Sequence, residues 1–108
     1  MPQFLKFTPK ITIFLPVKNE SIVIISKLEE IMNYDYPKEN INILIIDSNS
    51  TDNTVRLAND FLKKNSYGIP WEIIETNLLG KSNAVNIALE MIKTDFFVML
   101  DAEAIIQR

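Results

Sequence analysis

Apolar positions along the chain switch between two periods. Ile11 to Leu15 ("ITIFL") is a nearly continuous apolar and β-branched run halted by Pro16, which suits a strand covered on both faces. From Asn19 onward, Ile22, Val23, Ile25, Ser26, Leu28, Ile31 and Met32 fall at three- and four-residue spacings, with Lys27, Glu29 and Glu30 on the other side. That pattern predicts an amphipathic helix ending near "NYDYP". Ile41 to Ile46 ("INILII") predicts a second strand, and Thr51 to Lys64 a second helix with Val55, Leu57, Ala58, Phe61 and Leu62 inward. "SYGIP" breaks that helix. Trp71 to Ile74 predicts a third strand. Ser82 to Lys93 predicts a third helix with Ala84, Val85, Ala88, Leu89 and Ile92 inward, and Phe96 to Leu100 a fourth, buried strand.

Strands alternating with helices across short connections imply a mostly parallel sheet wound by right-handed crossovers, an α/β protein of three layers, α/β/α. With 108 residues, the chain is long enough for one core and one domain, residues 1–108. Ligands of such sheets bind outside the carboxyl ends of the strands, where strand order reverses. The segments after each strand are therefore where chemistry is expected.

Composition narrows that chemistry. Histidine and cysteine are both absent, which excludes His-based triads, thiolate nucleophiles and His or Cys zinc sites. Eleven basic against fourteen acidic residues, with no basic block, argue against a nucleic-acid binder. Two glycines, Gly68 and Gly80, are too few for a Gly-rich phosphate loop, and no G-x-G-x-x-G of a dinucleotide-dependent oxidoreductase follows any strand. No apolar run approaches the roughly 20 residues that span a bilayer. The amino-terminal "MPQFLKFTPK" has no signal-peptide character either, so a soluble domain is expected.

Four segments offer candidate ligands. "PVKNE" places Asn19 and Glu20 at the head of the first helix, as a cap or as binding groups. "DSNSTDNT" is rich in turn and cap formers, and Asp47 stands where α/β nucleotide-binding proteins put an acid that meets a ribose hydroxyl or base N–H. "NLLGKSNAVN" puts Gly80 and Lys81 at a helix start, able to meet a diphosphate. It is not a Walker loop, because Glu75 occupies the position of the required first glycine. The fourth segment, "FFVMLDAE", drives an apolar run into Asp101 and Glu103. In extended backbone residues i and i+2 point the same way about 6.5 to 7 Å apart. Two carboxylates so placed repel unless a cation lies between them, and Mg2+ or Mn2+ bridging to diphosphate oxygens is the natural resolution.

Taken together, "ITIFLPVKNE", "YPKENINILIIDSNSTDNT", "GKSNAVNIAL" and "FFVMLDAE" resemble, in order and spacing, the amino-terminal half of an inverting family 2 glycosyltransferase of the GT-A fold, over about Ile11 to Glu103. The resemblance implies a Rossmann-like half of that fold, a nucleotide-diphospho-sugar donor linked to UDP or GDP, Mg2+ or Mn2+, and transfer of the sugar to an acceptor. By position, Pro16, Val17, Asn19 and Glu20 match the family's first nucleotide-binding loop. Asp47 matches the acid that contacts the base, with Ser48 beside it. Lys81 matches a lysine near the diphosphate, followed by Ala84 and Asn86. Asp101 and Glu103 match the first and third residues of the DxD motif, Asp101 at donor and metal and Glu103 at metal. Glu103 replaces the usual third Asp, and "DSNSTD" replaces the commoner "DDGSTD".

The family's catalytic base lies well beyond the DxD strand, so no catalytic residue is assigned here, and the chain is expected to be a truncated donor-binding part without activity alone. A non-catalytic nucleotide-sugar-binding or assembly module of the same fold is the alternative. A last strand left as an edge would invite homodimerisation or poor solubility. The acceptor is unassigned among glycan, lipid and protein, and the expected compartment is the cytoplasm, at a membrane for many relatives.

Overall fold

β-branched side chains crowd a helix but pack well on a pleated surface, and the two isoleucine-rich runs form the centre of a sheet. In the computed structural model, which describes residues 8–100, β1 is Ile11–Val17, β2 Ile41–Ser48, β3 Trp71–Thr76 and β4 Phe96–Met99. The strand order is β3-β2-β1-β4, and every pairing is parallel. Helices α1 (Ile24–Met32), α2 (Thr54–Asn65) and α3 (Lys81–Met91) fill the three connections, with a 3₁₀ turn, Lys38–Asn40, leading into β2.

The period of two along each central strand sends its side chains to two separate cores. On one face Ile13, Leu15, Val17, Ile43 and Ile45 pack against Ile24, Leu28 and Ile31 of α1 and Ala58 and Leu62 of α2. On the other face Phe14, Leu44 and Ile46 pack against Ala84 and Ala88 of α3. Each fully buried Ile, Leu or Phe contributes roughly 1.5 to 3 kcal/mol. The result is the three-layer α/β/α arrangement expected from the pattern.

From β1 the chain steps outward through β2 and β3, then returns over the other face through α3 to place β4 on the far side of β1. The order therefore reverses between β1 and β4, the position at which open α/β sheets bind ligands. Leu100, the last described residue, donates its N–H to the Phe14 carbonyl and carries the chain toward that end of β1.

Several sequence expectations are corrected. β1 does not stop before Pro16 but runs through it to Val17, with Pro16 in register with Ile46. The Phe14 carbonyl faces β4, so by strand alternation Pro16 turns the same way, away from β2. Its missing N–H therefore costs no bond to β2. α1 starts at Ile24, and its buried stripe is Ile24, Lys27, Leu28 and Ile31. Ile22 is 95% exposed and Ser26 is exposed, whereas Lys27 is buried, so the stripe is rotated from the expected one. Leu89 of α3 faces outward. β4 is not buried: Phe96, Phe97, Val98 and Met99 are 42–53% exposed, on both of its faces.

Candidate functional site

The loop after β1 and the loop after β2 lie side by side at the carboxyl end of the sheet. Both contain a left-handed residue, Asn19 at φ 50° and Asn49 at φ 60°. Asparagine tolerates that region because its short amide bonds locally. Across the gap Lys18 Nζ donates to the Asn49 carbonyl at 2.8 Å, and Asn19 N–H to Ser50 Oγ at 2.8 Å. Glu20 N–H donates to Thr54 Oγ1 at 2.8 Å, and Ser21 N–H to Asp52 Oδ2 at 3.2 Å. In return Asn19 Oδ1 accepts from Thr51 N–H at 2.7 Å and from Asp52 N–H at 3.3 Å.

Asp47 is the penultimate residue of β2, in register with Val17, and only 1% exposed. Its carboxylate accepts from Ser50 N–H at 3.0 Å and from Ser50 Oγ, closing a turn over the strand end. Asp52 accepts from the N–H and hydroxyl of Thr54. Chiefly the Thr54 hydroxyl, with the backbone of Thr54 and the Ser21 donor added, holds its carboxyl down to about 2, against the opposing effect of desolvation.

On the far side, Gly80 takes φ 99° immediately before α3, a conformation open to glycine, and makes Lys81 the first helical residue. The positive end of the α3 dipole is thereby aimed at the strand ends. Between these walls lies a cleft of about 380 Å³ lined by Pro16, Val17, Lys18, Glu20, Ser48, Leu79, Gly80 and Lys81. Its volume is in the range of small-molecule sites. A second depression, at the opposite end of the sheet around Thr12, Asn42, Trp71 and Lys93, shares none of these residues.

Of the residues singled out from sequence, the cleft brings together Pro16, Val17, Glu20, Ser48 and Lys81. Asn19 and Asp47 stand behind its wall in the loop network rather than on its lining. Ala84 is buried against the sheet, while Asn86 shares a shallow depression with Lys81, Ser82 and Val85. Asp101 and Glu103 lie outside the described residues. Among the described residues, no group of three or more acidic side chains could hold a metal ion. Sequence reasoning missed Lys18 and Leu79. Leu79 carried a signal, because "LL" before Gly80 belongs to neither the strand nor the helix period, and both leucines are more than half exposed.

A parallel sheet with its switch point at β1, a cleft of mixed polar and apolar lining at the strand ends and a lysine at a helix head form an arrangement of the open α/β class. The sequence profile of glycosyl transferase family 2 matches residues 12–108, and the chain belongs to that family. It is 31% identical over 101 residues to the probable glycosyltransferase YdaM of Bacillus subtilis, covering 92% of this chain and 24% of that protein. It is 38% identical over 97 residues to a dolichyl N-acetyl-alpha-D-glucosaminyl phosphate diacetamido-dideoxy-glucuronosyltransferase of Methanococcus voltae, covering 87% and 29%. The chain thus spans about a quarter of the length of these curated relatives. The mannosyltransferase PcManGT of Pyrobaculum calidifontis, solved with GDP-Man and Mn2+, superposes with a TM-score of 0.85 at 28% identity, over 91% of this chain and 28% of that one. The fold is accordingly that of the GT-A glycosyltransferases. No helix among the described residues is long and apolar enough to cross a membrane.

Proposed function

We propose that this chain is the donor-binding part of a glycosyltransferase that takes a sugar from a UDP- or GDP-linked donor in the presence of Mg2+ or Mn2+. The observation that carries the reading is the cleft of small-molecule size at the ends of β1 and β2 and the head of α3, which Glu20, Ser48 and Lys81 all line. Ser48 and Glu20 supply acceptors for ribose and base, and the Lys81 ammonium with the head of α3 supplies positive charge for a diphosphate. Asp47 orders the loop beside the base through Ser50.

Transfer leaves a nucleoside diphosphate, so charge grows on the phosphates as the sugar departs. A cation held nearby stabilises that charge. The donor set fits a hard divalent ion in kind: Asp101 and Glu103 are oxygen ligands that follow directly on a chain segment hydrogen-bonded to β1. They are the residues proposed to hold it. Acceptor activation requires a base within hydrogen-bond reach of the acceptor hydroxyl, and no residue of this chain is assigned that role.

Calorimetric titration with UDP and with GDP, with and without Mn2+, tests the reading. Binding of one nucleotide that strengthens with Mn2+ and weakens in Asp101→Asn, Glu103→Gln and Lys81→Ala supports it. Metal-independent affinity indifferent to all three substitutions contradicts it.

A further inference from the structure

Four consecutive residues after β1, Lys18 to Ser21, each donate a hydrogen bond to the segment after β2, and the Asn19 side chain is also bonded back from it. Its Oδ1 gathers the N–H groups of Thr51 and Asp52, with Thr51 Oγ1 more distantly at 3.4 Å. Its own N–H reaches Ser50 Oγ, and that hydroxyl donates a hydrogen bond to the Asp47 carboxylate. A continuous series of donors and acceptors therefore leads from Asn19 through Ser50 to a buried acid at the end of β2.

The position needs two properties at once. A backbone at φ 50° admits Gly, Asn and Asp most readily, and the bonds to Thr51 and Asp52 need a short acceptor on that backbone. Glycine meets the first need only, whereas aspartate meets both. Lys18 and Glu20, which flank Asn19, both line the cleft, and Ser48, which follows Asp47, lines it from the other loop. Asn19 itself is not on the lining.

We propose that Asn19 is a positioning residue for nucleotide binding: it clamps the 50–52 turn to the β1 loop so that Lys18, Glu20 and Ser48 present one fixed wall to the ligand. This rests on the nucleotide reading above but assigns Asn19 a role exerted through the second loop rather than by touching the nucleotide.

The test compares the unmutated chain with Asn19→Gly and Asn19→Asp. Amide hydrogen exchange is followed at Thr51 and Asp52 without ligand, and Kd is measured for UDP and GDP. Loss of the acceptor is expected to speed exchange at Thr51 and Asp52 and to weaken nucleotide binding, each about tenfold. Exchange in β1 and β2 should not change, and Asn19→Asp should restore both quantities. The proposal is overturned if Asn19→Gly leaves loop exchange unaltered, since any loss of affinity would then come from direct contact. It is overturned equally if exchange rises uniformly through the core, which marks a purely structural role. If the unmutated chain binds neither nucleotide, the nucleotide reading fails and the positioning role with it, while the exchange data still decide whether the clamp exists.

Discussion

At the scale of single residues, the acids of the second loop divide by what they hold. Asp47 is spent on Ser50, and Asp52 on Thr54 and Ser21. Because its carboxyl is depressed from 3.8 to about 2 in the folded protein, Asp52 stabilises the fold fully above the ordinary carboxylate range. That contribution is lost as pH falls from 3.8 through about 2, where the folded carboxylate takes up its proton. Urea unfolding of the protein and of Asp52→Asn should therefore differ at neutral pH, and the two should converge as pH falls through that window. A difference that persists unchanged to the acid end would show that the charge is not what the loop uses. Sequence pattern placed Asp47 correctly at the end of β2 and assigned Asp52 to a helix start. It did not reveal that Asn19 bridges the loops, because a left-handed asparagine bonded to a segment some thirty residues away leaves no local period to read.

At the scale of elements, all four strands and three helices were legible because each apolar run is long and bounded by polar or turn residues. The phase of α1 was not. Ile22 to Ile25 is an unbroken apolar run, so periodicity alone fits two stripes, and the backbone chooses by beginning the helix at Ile24 after a turn in which Glu20 accepts from Val23 and Ile24. Burial then decides the energetics. Leu28→Ala, at a fully buried site, should cost about 2 to 5 kcal/mol in denaturant unfolding. Ile22→Ala, although nominally part of the same apolar face, should stay within about 0.5 kcal/mol. Equal losses would restore the unrotated stripe. Pro16 misled for a related reason: a proline ends a strand only when its missing N–H faces a partner, and which edge it faces depends on the neighbouring strand, not on the local sequence.

At the scale of the whole molecule, the sheet is asymmetric. β1 and β2 are covered on both faces, whereas among the described residues β4 stands at one edge of the sheet with apolar side chains exposed on both sides. An apolar strand edge favours pairing with another chain, and two copies can pair β4 to β4 about a two-fold axis. Light scattering over a concentration series should show mass rising toward two copies, with Val98→Lys shifting it back to one; a single copy at every concentration would remove this proposal. The same topology that exposes β4 places the strand-order reversal beside the cleft lined by Glu20, Ser48 and Lys81, which is where the proposal puts the donor. The most direct measurement is calorimetric titration of the 108-residue chain with UDP and GDP with and without Mn2+. The account predicts saturable binding of one nucleotide that Mn2+ strengthens by at least about tenfold and that Lys81→Ala weakens. Absence of binding to either nucleotide with Mn2+ present, or binding that ignores both the ion and Lys81, would contradict it.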